Sequence, residues 1–211
     1  MRDLEPVPRI YAIADAEALA PLTPAEAVRQ IVAAGIRWVQ LRAKRLADGS
    51  LYREAVACRE AAAAAGARLW IDDRADVAAL VDADGVHLGQ RDLPPVAAAA
   101  SVGRECWIGR STHGLDQVRE ADADPRVDLI ALGPIFPTRG KRDPDPVVGL
   151  ETLAAARRLT AKPLVAIGGI DAGRLPAVLR AGADAAAMIG AVCRGPVAAN
   201  CERLRAAAEA A

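Results

Sequence analysis

The sequence is poor in aromatic residues and histidine, and it carries no net charge. Only 3% of its 211 residues are aromatic, two are histidine, and 27 basic residues balance 27 acidic ones. A neutral chain has no overall field to attract nucleic acid or a membrane surface, so a charged ligand needs a local cluster. We therefore expect small-molecule ligands and no nucleic-acid partner.

The sequence also lacks paired cysteines and long apolar segments. Its four cysteines are Cys58, Cys106, Cys193 and Cys201, and none forms a CxxC pair. This spacing argues against a structural zinc site and favours a reduced, cytoplasmic setting. Because no apolar run reaches about 18 residues without a charge or glycine, we expect neither a signal peptide nor a membrane span.

The chain does contain a regular alternation of short apolar runs and Ala-rich helical stretches. The apolar runs are 9–15, 38–42, 68–72, 85–89, 107–112, 129–133, 163–169 and 185–190. The helix candidates are 24–34, 50–65, 74–81, 94–101, 115–122, 149–160, 173–181 and 197–210. Such alternation is typical of βαβ units with a buried parallel sheet.

Eight such units in a chain of this length predict one (β/α)8 TIM barrel spanning residues 1–211. A doubly wound open sheet is the alternative. It would carry a glycine-rich fingerprint after its first strand, and 11–22 has none.

Polar residues follow the predicted strands, where the active site of a barrel lies. The basic residues are Arg42, Lys44 and Lys141, and the acidic ones include Asp73 and Asp92. Two carboxylates on neighbouring strand ends repel each other unless a cation joins them, and Mg²⁺ prefers one or two carboxylates with phosphate oxygens. The alternative is that both aspartates cap helices, which Asp favours.

Glycines follow the last two predicted strands. Gly168, Gly169 and Gly190 lie next to helix starts, where backbone N–H groups can bind an anion, and barrels often hold a phosphate there. The alternative is that these glycines only relieve crowding at tight turns. His113, after the fifth strand, is a candidate acid or base, whereas His87 within the fourth strand is predicted to be packed and hydrogen-bonded.

Seven motifs, taken together, resemble the thiamine phosphate synthase family, whose fold is shared by the related TenI-type thiazole tautomerases. The motifs are VQLRAK (39–44), WIDDRADVA (70–78), ADGVHLGQRDLP (83–94), IGRSTH (108–113), GPIFPTRGK (133–141), VAIGGI (165–170) and AGADAAAMIGA (181–191). The resemblance implies that a pyrimidine diphosphate and a thiazole phosphate condense to thiamine phosphate and pyrophosphate.

The resemblance also implies a site. Asp73 and Asp92 would bind Mg²⁺, and Arg42, Lys44 and Lys141 would hold the diphosphate. The predicted catalytic residues are Arg42, Lys44, Ser111 and Lys141. The predicted substrate contacts are Gln40, Arg42, Lys44, Asp72, Ser111, Thr138, Gly140, Lys141, Gly169, Ile189 and Gly190. The enzyme would be a transferase and possible homo-oligomer.

The sequence departs from the family pattern at two important places. Asp72 stands where the family usually has Asn, and Gly140 replaces a customary Thr. A third carboxylate near a diphosphate adds repulsion unless it binds a second cation, pairs with Arg74 or is protonated. Two alternative functions follow: a thiazole tautomerase using His113, and a non-catalytic phosphate-binding barrel, for which Asp72 is the main support.

Overall fold

The computed structural model describes residues 7–102, 106–138 and 145–211, and its eight parallel strands close into a barrel. The strands are β1 (Ile10–Asp15), β2 (Trp38–Arg42), β3 (Arg68–Asp72), β4 (Gly85–Leu88), β5 (Trp107–Thr112), β6 (Leu129–Leu132), β7 (Leu164–Ile167) and β8 (Ala185–Met188). Each strand pairs with the next, and β8 pairs with β1. The predicted (β/α)8 barrel is confirmed.

Helices connect the strands around the outside of this barrel. They are α1 (Ala16–Leu19), α2 (Pro24–Ala33), α3 (Asp48–Ala64), α4 (Ala75–Leu80), α5 (Pro95–Ser101), α6 (Leu115–Ala123), α7 (Gly149–Arg157), α8 (Leu175–Arg180), α9 (Gly190–Cys193) and α10 (Val197–Glu209). Eight of them match the predicted helices to within three residues at either end. The two that were not predicted, α1 and α9, have four residues each, too few to show a helical period.

Aromatic side chains fill the N-terminal half of the barrel. The ring centroids of Trp38 and Trp70 are 5.3 Å apart, those of Trp70 and Trp107 are 6.0 Å apart, and Tyr11 packs on the first two. A Cβ at Gly85 would lie 2.3 Å from the Trp70 ring, so only glycine fits opposite it. Because Trp38 and Trp107 begin their strands, this cluster leaves the C-terminal end to polar side chains.

Three aspartates join neighbouring strands at the N-terminal end of the barrel, away from the strand ends that carry the polar side chains. Asp84, Asp128 and Asp184 immediately precede β4, β6 and β8. The carboxylate of each aspartate accepts a hydrogen bond from a backbone N–H of the preceding strand. The backbone N–H of each aspartate donates in return to the carbonyl of that same strand residue. The partners are Leu69, Ile108 and Leu164. These paired hydrogen bonds fix the strand register, which in turn aligns the C-terminal ends of the strands.

We expect Asp128→Ala to destabilise the barrel without touching the candidate site. Asp128 Oδ2 accepts from the Ile108 N–H at 2.9 Å, and losing that acceptor leaves a buried donor unsatisfied. Such a loss costs about 1–3 kcal/mol, which corresponds to a melting temperature lower by about 3–10 °C for a chain of this size. Thermal unfolding tests this, with Asp116→Ala on the exposed face of α6 as the control. Equal melting temperatures for the two variants would contradict the role of Asp128.

Among the described helices, none combines the length and apolarity that crossing a bilayer requires.

Candidate active site

The barrel collects most of the predicted site residues at its C-terminal end. Gln40 and Arg42 lie in β2, Ser111 lies in β5, and Asp72 ends β3. Lys44, Asp73 and Asp92 lie in the loops after β2, β3 and β4, Thr138 follows β6, and Gly169, Ile189 and Gly190 follow β7 and β8. Gly140 and Lys141 lie outside the described residues.

The two predicted metal-binding aspartates meet. The carboxyl groups of Asp73 and Asp92 are close enough to share a hydrogen bond. Asp73 is turned toward its partner by a backbone in the left-handed region, with φ of 60°, which is rare for a residue other than glycine. Its N–H donates to the His87 carbonyl at 2.8 Å, and Asp92 Oδ2 accepts from the Gly89 N–H at 2.7 Å. Backbone contacts therefore fix the main chain at Asp73 and the carboxylate of Asp92.

The two carboxylates interact, so that one of them keeps its proton to a higher pH than a free aspartate does. Burial, the charge of Asp72 and the bond to Asp92 raise the pKa of Asp73 to about 7. Burial opposes ionisation of Asp92 too, but the bonds from Asp73 and the Gly89 N–H outweigh it and lower the pKa of Asp92. A cation that replaced this proton would relieve the same repulsion. Within residues 7–102, 106–138 and 145–211, no three acidic, His or Cys side chains form a metal-binding group.

We expect the metal-free protein to lose stability as the pH rises through this range. The pKa of Asp73 is about 7 in the folded chain against 3.8 in a model peptide. The folded state therefore binds more protons than the unfolded one between these values, and stability falls with rising pH. Thermal unfolding in chelator from about pH 5 to pH 8 measures the slope. Asp73→Asn removes this contribution and should give a flatter slope; equal slopes would contradict the raised pKa of Asp73.

Two basic side chains adjoin the aspartate pair. Lys44 Nζ contacts Asp73 Oδ2 and lies 2.9 Å from Asp72 Oδ2, and Arg42 Nε lies 3.6 Å from the same Asp72 oxygen. Burial disfavours the charge on Lys44, but Asp72 and Asp73 outweigh it and raise the pKa of Lys44. Burial acts in the same way on Arg42, whose pKa the nearby carboxylates also raise. Both side chains therefore stay cationic beside the carboxylates.

Asp72 is the third carboxylate of this cluster. Its Oδ2 atom is buried, and although Lys44 lies close, no described residue makes a well-directed hydrogen bond to it. Burial raises the pKa of Asp72 against the opposing charges of Lys44 and Arg42. Asp72, which stands where the family usually has Asn, thus lies directly against Lys44 and Arg42.

Sequence reasoning missed Asp15 and Glu17, which reach Arg42 from the other side. Asp15 ends β1 and forms an ion pair with Arg42 Nη1, and Glu17 Oε2 lies 3.7 Å from the same nitrogen. Asp15 is a strand-end residue like the others, so extending the same rule to the first strand could have found it.

The polar residues farther round the barrel are held in pairs. Gln40 Nε2 donates to the Tyr11 hydroxyl at 2.9 Å, and Ser111 Oγ lies 2.9 Å from His87 Nε2. His87 is buried, which agrees with its predicted packed role, and a Cβ at Gly109 would lie 2.4 Å from the His87 ring. Glycine on β5 therefore makes room for the histidine that contacts Ser111.

His113 connects two loops rather than joining the acidic cluster. Its Nδ1 lies 2.6 Å from the Gly133 carbonyl oxygen, and its Nε2 lies 3.4 Å from Asp145 Oδ2. Its backbone N–H donates to Gln117 at 2.7 Å. The ring thus links the end of β5 to both described ends of the loop between β6 and α7.

The glycines after β7 have a packing role. Gly168 and Gly169 have φ of 99° and 66°, and a Cβ on Gly169 would lie 2.6 Å from the Pro137 carbonyl oxygen. The segment before Thr138 therefore packs directly against Gly169, with no room for a side chain there. The atoms nearest to a Cβ on Gly190 would belong to Arg194, at an ordinary 3.6 Å, so packing does not require glycine there.

The fold and this end of the barrel define a class of protein, a TIM-barrel enzyme with acidic and basic side chains converging at the strand ends. Residues 10–192 match the family described as thiamine monophosphate synthase. The chain belongs to this family, as its sequence motifs predicted.

Individual relatives agree with the family match. The thiamine-phosphate synthase of Koribacter versatilis is 42% identical over 187 residues, which cover 87% of this chain and 88% of the relative. That of Syntrophomonas wolfei is 39% identical over 183 residues, covering 87% of each chain. The solved thiamine phosphate pyrophosphorylase of Pyrococcus furiosus has a TM-score of 0.86 at 33% identity, with 96% of each chain covered.

Proposed function

We propose that this chain is a magnesium-dependent transferase that condenses a hydroxymethylpyrimidine diphosphate with a thiazole phosphate. The products are thiamine phosphate and pyrophosphate. The observation that carries the proposal is the meeting of Asp73 and Asp92 beside Lys44 and Arg42, in a chain of the thiamine monophosphate synthase family.

The donor set suits a magnesium ion. Two adjacent carboxylates offer the hard oxygen ligands that Mg²⁺ prefers, and water and phosphate oxygens complete its shell in such sites. Asp73 and Asp92 would hold the ion, which would neutralise part of the diphosphate charge when bound.

The protein's own residues would bind and align the two substrates. In the reaction the bond between the pyrimidine methylene carbon and the diphosphate oxygen breaks, and the thiazole nitrogen bonds to that carbon. Arg42 and Lys44, with Lys141 from the sequence, would hold the diphosphate oxygens and stabilise the charge they gain. Gln40 and Ser111, which contact Tyr11 and His87, would contact the pyrimidine diphosphate. Asp72, predicted as a further substrate contact, lies beside Arg42 and Lys44.

The thiazole phosphate would lie across the loops after β6, β7 and β8. Thr138 and Gly140 would contact it, together with the backbone at Gly169, Ile189 and Gly190. The close approach of Pro137 to Gly169 supports a joint role for the first two of these loops. Such a site aligns the thiazole nitrogen with the pyrimidine carbon, which is the main task when no enzyme nucleophile is used.

The tautomerase alternative is less well supported. It would use His113 as the acid or base, yet both ring nitrogens of His113 already lie against Gly133 and Asp145. It would also assign no function to the pair Asp73 and Asp92 or to the cations beside them. The cytoplasmic setting, the homo-oligomer and the single domain of residues 1–211 stay predictions.

A substrate-selective assay tests the proposal. Purified protein is supplied with both substrates and Mg²⁺, and thiamine phosphate and pyrophosphate are measured by chromatography. We expect stoichiometric formation of the two products, lost in chelator and restored by Mg²⁺. A parallel reaction contains only the carboxylated thiazole phosphate, the substrate for tautomerisation. Isomerisation there, without product in the first reaction, would overturn the proposal in favour of the tautomerase.

A further inference from the structure

Asp15 is a buried carboxylate directly beneath one of the proposed diphosphate-binding cations. It is 3% exposed and lies opposite Arg42 in the register of β1 and β2. Its Oδ1 accepts from the Ala18 N–H at 2.9 Å, and its Oδ2 accepts from Arg42 Nη1. Both oxygens are therefore used, and the first bond fixes the carboxylate for the second.

The Arg42 guanidinium is thereby held by two of its three nitrogens. Nη1 is bound by Asp15, and Nε lies 3.6 Å from Asp72 Oδ2. Within the part of the chain that the structure describes, Nη2 donates no hydrogen bond, whereas Nη1 donates to Asp15. This arrangement leaves Nη2 as the donor available to an anion.

Asp15 and Asp72 both carry negative charge beside Arg42, but their contacts differ. Asp15 makes two hydrogen bonds that set the direction of the guanidinium. Asp72 Oδ2 lies near Lys44 and Arg42 without a well-directed bond from a described residue, so it competes with an incoming diphosphate for the same cations. The same Asp→Asn change should then have opposite effects at these two positions.

Resting on the proposed function, we propose that Asp15 is a positioning residue that orients Arg42 toward the diphosphate. Losing its charge frees the guanidinium from its fixed direction, and a preorganised donor is worth more than a mobile one. Asp15 also caps α1, so a purely structural role must be separated from a positioning one. Asparagine is as good an N-cap as aspartate, which makes Asp15→Asn the suitable variant.

Calorimetric titration with inorganic pyrophosphate at saturating Mg²⁺ tests the proposal. The probe lacks the pyrimidine and so reports on the diphosphate contacts alone. We expect Asp15→Asn to weaken binding by about tenfold or more, as loss of a charge-assisted contact does, and Asp72→Asn to strengthen it severalfold. Glu17→Gln removes the more exposed carboxylate near Arg42 and should stay within about twofold of the wild type.

A double-mutant cycle shows whether Asp15 acts through Arg42. If it does, Asp15→Asn in an Arg42→Gln background has no further effect, whereas independent roles add. In turnover, the KM for the pyrimidine diphosphate should rise while the KM for the thiazole phosphate stays constant, which a general loss of structure would not produce. If Asp15→Asn does not fold, Asp15→Ser keeps a capping oxygen and should show the same loss.

Three results would overturn the proposal: pyrophosphate binding within about twofold of the wild type in Asp15→Asn, additive effects in the cycle, or equal rises in both KM values. A wild-type protein that binds pyrophosphate but forms no thiamine phosphate would instead contradict the proposed function. The binding measurements on Asp15 would stand in that case, so the two failures are distinguishable.

Discussion

Asp92→Ala is expected to abolish magnesium-dependent release of pyrophosphate, with turnover lower by at least about a thousandfold. A bound metal contributes several kcal/mol of charge stabilisation in such reactions, and each 1.4 kcal/mol corresponds to about tenfold in rate. Asp92 supplies one of the two carboxylates that meet at the site. Its removal leaves Asp73 to bind the ion alone.

The loss of structure must be separated from the loss of the ligand. Asp92 Oδ2 also accepts from the Gly89 N–H, so alanine removes a loop contact as well. Asp92→Asn keeps an oxygen for that N–H but loses the negative charge, and it should be nearly as inactive. Asp116→Asn on the surface is the control and should retain full turnover. Turnover of Asp92→Asn and Asp92→Ala near the wild-type level would remove Asp92 from the mechanism.

The sequence predicted the fold well because each strand carries its own signal. Buried parallel strands read as apolar runs, and all eight lie within the predicted ranges. Glycine and capping residues marked helix ends, as Thr23 shows by forming the predicted capping box with Glu26. The short helices α1 and α9 were not predicted, because four residues are too few to show a periodic pattern.

The site was predictable as a list of residues but less so as a set of contacts. The rule that strand ends meet identified Asp73, Asp92 and Lys44, which the barrel does bring together. It could not show that Asp15 binds Arg42, because that pairing depends on the register of β1 against β2. It also could not decide whether Gly169 serves packing or an anion, because a glycine has no side chain to indicate its neighbour.

Lys44→Met is expected to lower kcat/KM for the pyrimidine diphosphate by at least about a hundredfold, as loss of one charge-stabilising donor typically does. Lys44 Nζ lies between Asp72 and Asp73, so it is placed beside the proposed ion and the diphosphate together. Methionine keeps most of the side-chain volume and removes the charge. Steady-state kinetics with each substrate varied in turn measures the effect. Arg45→Met, one residue further along the loop, removes the same charge and is expected to change kcat/KM by less than about threefold.

The Lys44 variant could be inactive because it lacks a diphosphate donor or because Asp72 then repels the diphosphate. A second change at Asp72 distinguishes these two causes. Without Lys44, Arg42 is the cation that remains near the buried Asp72 oxygen among the described residues, with its Nε 3.6 Å away. The negative charge of Asp72 is then only partly compensated and would repel the diphosphate. Asp72→Asn in the Lys44→Met background removes that repulsion but does not restore the donor. We expect the double variant to recover about tenfold and to stay well below the wild type. Full recovery would mean that Lys44 only neutralises Asp72, and kcat/KM of Lys44→Met equal to that of Arg45→Met would mean that Lys44 does not contact the diphosphate at all.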